Sequence, residues 1–254
     1  MKKPITIEVC ANSVESALAA QNGGAARVEL CSNLLEGGTT PSYATIETAR
    51  KMLSIKINVL IRPRGGDFLY NDLEFSIMKR DIEICKSLNV DGIVIGMLND
   101  DGSVDKSRMP ELINLARPLS VTFHRAFDMC RDPFDSLQCL IDLGIDRLLT
   151  SGQQNSALLG AKLIAGLVKF SAGRLAIMPG AGINSSNILE IIKATGADEF
   201  HLSGKKTCLS KMKYQNTPLN MGNTTGVSEF STELTDSNEI QKIVAIVNHL
   251  MHGS

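Results

Sequence analysis

Two short segments repeat one pattern. IEVC at 7–10 and VELC at 28–31 each place a carboxylate two residues before a cysteine, at the end of an apolar run. Alternate residues of a strand share a face, so Glu8 goes with Cys10 and Glu29 with Cys31. On adjacent strands, about 4.8 Å apart, equivalent positions bring the two cysteines together. Two thiols are too few for a structural zinc site. They suit a soft monovalent ion such as Cu(I), which thiolates select, and they also suit a role as small apolar side chains at strand ends.

The other apolar runs end in chemistry too. IRPRGGDF carries Arg62, Arg64 and Asp67; FHRAFD carries His124, Arg125 and Asp128; LLTSG carries Ser151. PGAGIN carries Gly180 and Gly182, and HLSGK carries Ser203 and Gly204. Glu8, Glu29, His124 and Asp128 are acid/base types. Arg62, Arg64 and Arg125 could clamp an anion together with Ser151 and the amides around Gly180, Gly182, Ser203 and Gly204. A structural alternative is that Arg62 and Arg64 neutralise Glu8 and Glu29, and that the Pro and Gly residues serve only as turns.

These groups need a scaffold that delivers strand ends to one place. Eight strand-like runs cover 6–9, 27–30, 57–61, 92–96, 120–124, 146–150, 175–179 and 199–203, most of them apolar along their length as in parallel sheets. Helical patterns fill the intervals. Asn12 and Glu15 form a capping-box-like start to a helix over 13–22, and Phe75, Met78, Ile82 and Cys85 make one buried stripe over 72–88. Further helices are predicted over 155–170, over 185–194 with caps from its opening Asn and Ser residues, and over 237–251. Eight such units in 254 residues predict a single-domain (β/α)8 barrel over 1–254, whose working face is the C-terminal end of the strands. A doubly wound open sheet is the rival, but no G-x-G-x-x-G follows the first run, so no nucleotide cofactor is expected. Residues 205–236, polar and without sustained period, are expected to form a long loop, lid or subunit contact.

Composition removes several classes. A net charge of −1 without a basic block gives no reason to expect nucleic acid or an anionic membrane as partner. There is no Trp, and aromatics are only 4%, too few for a stacking platform. MKKPITIEVC lacks the apolar stretch of a signal peptide, and no run approaches ~18 apolar residues, so the cytoplasm is the expected compartment. Six cysteines without a C-x-x-C pair read as free thiols there.

Taken together, IEVC, RVELC, EGGTTPS, IRPRGGDF, VTFHRAFDM, LTSGQ, GAGI and EFH resemble the CutC family, over about 5–221. That resemblance implies a cytoplasmic barrel, a homodimer or homotetramer, that handles copper, with Cys10 and Cys31 at the positions of the family's Cu(I) ligands. It does not account for the charged strand ends. A barrel enzyme acting on a small anionic molecule, such as a phosphorylated one, therefore stands beside copper binding, and a scaffold that assembles through 205–236 is a third reading.

Overall fold

The computed structural model describes residues 4–219 and 228–252. Its parallel strands are β1 (Thr6–Ala11), β2 (Arg27–Leu30), β3 (Lys56–Leu60), β4 (Gly92–Ile95), β5 (Ser120–Phe123), β6 (Arg147–Thr150), β7 (Ala176–Pro179) and β8 (Glu199–Leu202). The helices between and after them are α1 (Val14–Asn22), α2 (Tyr43–Met52), α3 (Asp72–Ser87), α4 (Met109–Ala116), α5 (Pro133–Asp142), α6 (Ala161–Ser171), α7 (Ile188–Thr195) and α8 (Ser237–His252). The strand order β7-β6-β5-β4-β3-β2-β1-β8 wraps around one axis. β7 and β8 meet side by side, with no ladder between them among the described residues. This is the single-domain (β/α)8 barrel that the sequence predicts.

The pleat sorts each strand into two sets of side chains. One set, including Ile7, Val9, Val28, Ile57, Ile93 and Phe123, joins the helices in a continuous apolar core. The other set faces the barrel axis and is largely polar: Glu8, Arg27, Glu29, Asn58, Thr122 and His201 are all buried there. A small apolar cluster of Cys31, Leu60 and Val94, with Cys10 against it, also lies inside, and Met178 approaches Arg27 there. The strands are therefore apolar on their helix-facing side rather than along their whole length.

The helix patterns hold with local shifts. Phe75, Met78, Ile82 and Cys85 are buried along α3, whose start is a capping box: Asn71 accepts from the Glu74 amide at 2.9 Å and Glu74 accepts from the Asn71 amide at 2.8 Å. α1 is capped by Ser13, not Asn12, since Ser13 Oγ accepts from the Ser16 amide. α6 and α7 begin later than the periodicity predicts. Asp128 ties down the amides of Ser151 and Gln153 ahead of α6, while Asn184 and Asn187 fold an Asx-type turn ahead of α7.

The stretch 205–236, expected as an irregular loop, contains an antiparallel hairpin, β9 (Lys205–Leu209) with β10 (Ser231–Thr235). β9 is mostly exposed and β10 mostly half-buried, and neither strand shows apolar alternation. Residues 220–227 of that stretch lie outside the described residues. The hairpin is held to the barrel by Asn12 Nδ2, which donates to the Glu233 carbonyl at 2.9 Å, and by the Thr235 amide, which donates to Ser16 Oγ at 3.2 Å.

Candidate functional site

The axis of the barrel is filled from below by charge. Glu199 accepts from Arg27 at 2.7 Å and pairs with Arg147, which lies 3.3 Å from the hydroxyls of Ser120 and Thr122. Arg27 also donates through Nε to Glu8, which is fully buried and further accepts from Asn58 Nδ2 at 3.0 Å. His201 Nδ1 sits 2.8 Å from the other Glu8 oxygen. Burial acts to raise the Glu8 carboxyl, but Arg27 and His201 hold it at about 2. Paired and hydrogen-bonded in this way, the carboxylate satisfies the conditions under which a buried charge is tolerated.

The next level up brings the two repeats together. Cys10 Sγ and Cys31 Sγ are 3.5 Å apart, and the Cys31 thiol also reaches the Ala11 carbonyl at 3.7 Å. The equal-level picture from the sequence does not hold. Cys10 is level with Glu29, and Glu8 with Arg27, so Cys31 stands one inward-facing position higher than Cys10. Closing a barrel forces adjacent strands into such a stagger, and the sulfurs meet along the diagonal. Glu29 lies beside them with Oε2 unpartnered among the described residues and 3.8 Å from His201 Nδ1. Burial pushes its carboxyl to about 7, with His201 and Arg27 opposing and Glu8 adding. The hydrogen bond to Cys31 and burial push the Cys10 thiol well above its ordinary value. Burial would lower His201, but Glu29, Cys10 and Glu8 together raise it well above its usual range. Ligand atoms of Cys10, Glu29 and His201 all lie within 4.8 Å of one another. A cleft of about 600 Å³, lined by Asn12, Ser32, Leu34, Lys205 and Glu233 among others, opens beside these strand ends under the hairpin.

The remaining predicted residues lie at the same rim but not in this cluster. Arg62 does not pair with Glu8 or Glu29; its Nη atoms donate at 2.7 Å to the carbonyls of Glu36, Gly38 and Gly66. Arg64 points outward to Asp67 and Glu74. Asp128 is occupied with Arg125, the Thr150 and Ser151 hydroxyls and two loop amides, while Arg125 also donates to Ser151 Oγ at 2.8 Å. This group fixes the loop after β6. Gly180 is needed where a Cβ would come within 2.6 Å of Leu149 and 3.4 Å of His201. The Gly182 carbonyl accepts from Asn187, and the Ser203 and Gly204 carbonyls accept from Thr235 and Asp236. At the turn leading into α7, the Ser185 amide donates to Glu239 at 2.8 Å, so a carboxylate of this chain already occupies that place.

Sequence reasoning passed over Arg27, Asn58, Arg147, Glu199 and His201. Each falls on the inward parity of its strand, two residues or a multiple of two from a residue that was noticed, and that parity was the available signal.

A nearly closed ring of parallel strands with a charged interior and a paired-thiol mouth defines the class: a (β/α)8 barrel with its polar groups at the C-terminal strand ends. The CutC family model matches residues 5–206, and the chain belongs to that family. A CutC protein of Parabacteroides distasonis is 54% identical over 239 residues, covering 94% of this chain and 98% of that protein. The mouse copper homeostasis protein cutC homolog is 46% identical over 245 residues, covering 96% and 90%. The crystal structure of CutC from Streptococcus agalactiae superposes with a TM-score of 0.75 at 36% identity, covering 78% of this chain and 98% of that one.

Proposed function

We propose that this chain takes up Cu(I) between Cys10 and Cys31 and serves copper homeostasis in the cytoplasm. The observation that carries the reading is the 3.5 Å approach of the two sulfurs. Metal–sulfur bonds of about 2.3 Å allow two sulfurs on one ion to stand up to ~4.6 Å apart, so this pair is within reach of a single ion. Thiolate donors select Cu(I) over harder cations, and His201 or Glu29 lies close enough to Cys10 to complete the set. The cleft beneath the hairpin, lined by Asn12 and Ser32 close in sequence to the two cysteines, would serve as the approach route. The reading draws further support from the mouse relative, which is named for copper homeostasis. No helix among the described residues is long and apolar enough to cross a membrane, which fits a copper carrier that works in the cytoplasm.

The test is a titration of the reduced protein with Cu(I) against a competing chromogenic chelator. Wild type should withdraw copper from the chelator, and the double variant Cys10→Ser/Cys31→Ser should lose that capacity. Equal affinity in the two would overturn the reading. The same proposal includes a homodimer or homotetramer, supported by the exposed apolar residues Leu73 and Ile77 along one side of α3 and Leu69 just before it. Light scattering of wild type against Leu73→Glu/Ile77→Glu tests it, and an unchanged mass would count against that surface.

A further inference from the structure

Four buried side-chain polar atoms have no hydrogen-bond partner among the described residues. One, on Glu29, belongs to the thiol cluster. The other three, Arg62 Nε, His124 Nε2 and Tyr70 Oη, lie on residues that are all at least nine-tenths buried, and copper uptake uses none of them.

Their surroundings tie them together. Arg62 follows β3, Gly96 follows β4 and His124 follows β5, all on inward parity. Gly96 leaves the middle place empty of side chain, and His124 leans into it: a Cβ on Gly96 would come within 2.5 Å of the His124 ring. Phe68 stacks beside both groups, with its ring centroid 5.0 Å from that of His124 and 5.0 Å from the Arg62 guanidinium carbon. Tyr70, two residues on, has its hydroxyl near enough to Arg62 to feel its charge and a side-chain contact, though no hydrogen bond of good geometry joins them.

All three atoms are donors. His124 Nδ1 accepts from the Ala126 amide at 3.1 Å, so the ring proton is on Nε2. Burial, with the Arg62 charge adding, lowers the His124 pKa to about 3, which keeps the ring neutral. Three carbonyls hold the Arg62 Nη atoms and fix the guanidinium plane, leaving Nε–H uncommitted. A buried donor without an acceptor is costly to keep, and neighbouring preorganised donors are how proteins meet an oxyanion.

We propose that Arg62, His124 and Tyr70 form a seat for the oxyanion of a small molecule, a carboxylate or a phosphate, over Gly96 at the rim of β3 to β5. The seat is separate from the thiol pair and does not depend on copper binding there.

The test follows the imidazole resonances of the copper-free, reduced protein by ¹⁵N-edited NMR, titrating inorganic phosphate in one arm and acetate in the other at constant ionic strength. A saturable shift at the His124 Nε2–H is expected in one arm, and the arm that responds identifies the oxyanion. In Arg62→Lys, which keeps the charge but loses Nε–H, the affinity should fall at least ~10-fold. His124→Phe, read through the backbone amides of 62–70, should fall similarly. Circular dichroism melts identify variants that remain folded, and the wild-type titration stands alone if neither does. No saturable shift in either arm would overturn the seat, as would unchanged affinity in a folded variant.

Discussion

Glu8 is fully buried, and what keeps it ionised is Arg27, His201 and Asn58. Removing one member of such a set leaves the other charge without compensation in a poorly solvated place. Arg27→Met, which also leaves Glu199 with Arg147 as its remaining arginine partner, is therefore expected to lower unfolding stability by about 3–5 kcal/mol, measured by urea denaturation at pH 7. His124 gives a second residue-scale prediction, and here the sign matters. Folded His124 stays neutral down to about pH 3, whereas the unfolded residue takes a proton near pH 6.5. Between those values the unfolded chain binds more protons, so stability falls as pH drops through the window, and above it the group adds no slope. Between pH 6.5 and 4.5 this contributes a loss of about 2–3 kcal/mol. The loss should be missing from the pH curve of His124→Phe and so appear in the difference between the two proteins; parallel pH curves would refute it. Residue types at this scale were legible: alternation paired Glu8 with Cys10 and Glu29 with Cys31. Partners were not. Arg27 opens its strand and His201 lies within one, and neither has a neighbour in sequence that marks the buried carboxylate it pairs with.

At the scale of elements, sequence period told which face a side chain takes but not at what level it stands. The eight strands and the α3 stripe could be read because burial against helices imposes a period. The two-residue stagger of Cys31 over Cys10 could not, because it follows from closure of the whole ring. The hairpin of β9 and β10 escaped for a related reason: β9 is largely exposed and β10 carries few apolar residues, so main-chain pairing and contacts such as Asn12 to Glu233 define it, with no apolar pattern. Caps, by contrast, are local and readable to within a residue. The reciprocal Asn71–Glu74 box predicts that Asn71→Ala costs about 1 kcal/mol, and a chemical melt should show it with an unchanged m-value. A cost near zero would mean that water replaces the cap.

The molecule as a whole is layered: the apolar core lies between barrel and helices, and the axis holds charge and thiols. Stability and ligand chemistry are thus carried by opposite faces of the same strands. Whatever the axis binds must be paid for by the outer shell, since the unpartnered Glu29 oxygen and the crowded thiols do little for folding by themselves. A ligand that joins Cys10 to Cys31 ties β1 to β2 in the folded state and has no comparable preformed site in the unfolded chain. Linkage then requires Cu(I) to stabilise the fold by RT ln(1 + [L]/Kd), about 4 kcal/mol at a free concentration a thousand times Kd. For a chain of this size that raises the melting temperature by roughly 8–16 °C. Scanning calorimetry in a buffered Cu(I) series should show the midpoint rising with the logarithm of free copper in wild type and staying flat in Cys10→Ser/Cys31→Ser. A rise that survives in the double variant would place the stabilising copper elsewhere on the chain. A flat wild-type series at concentrations where the chelator competition reports binding would mean that the ion binds folded and unfolded chains alike, and that the 3.5 Å pair is not its site.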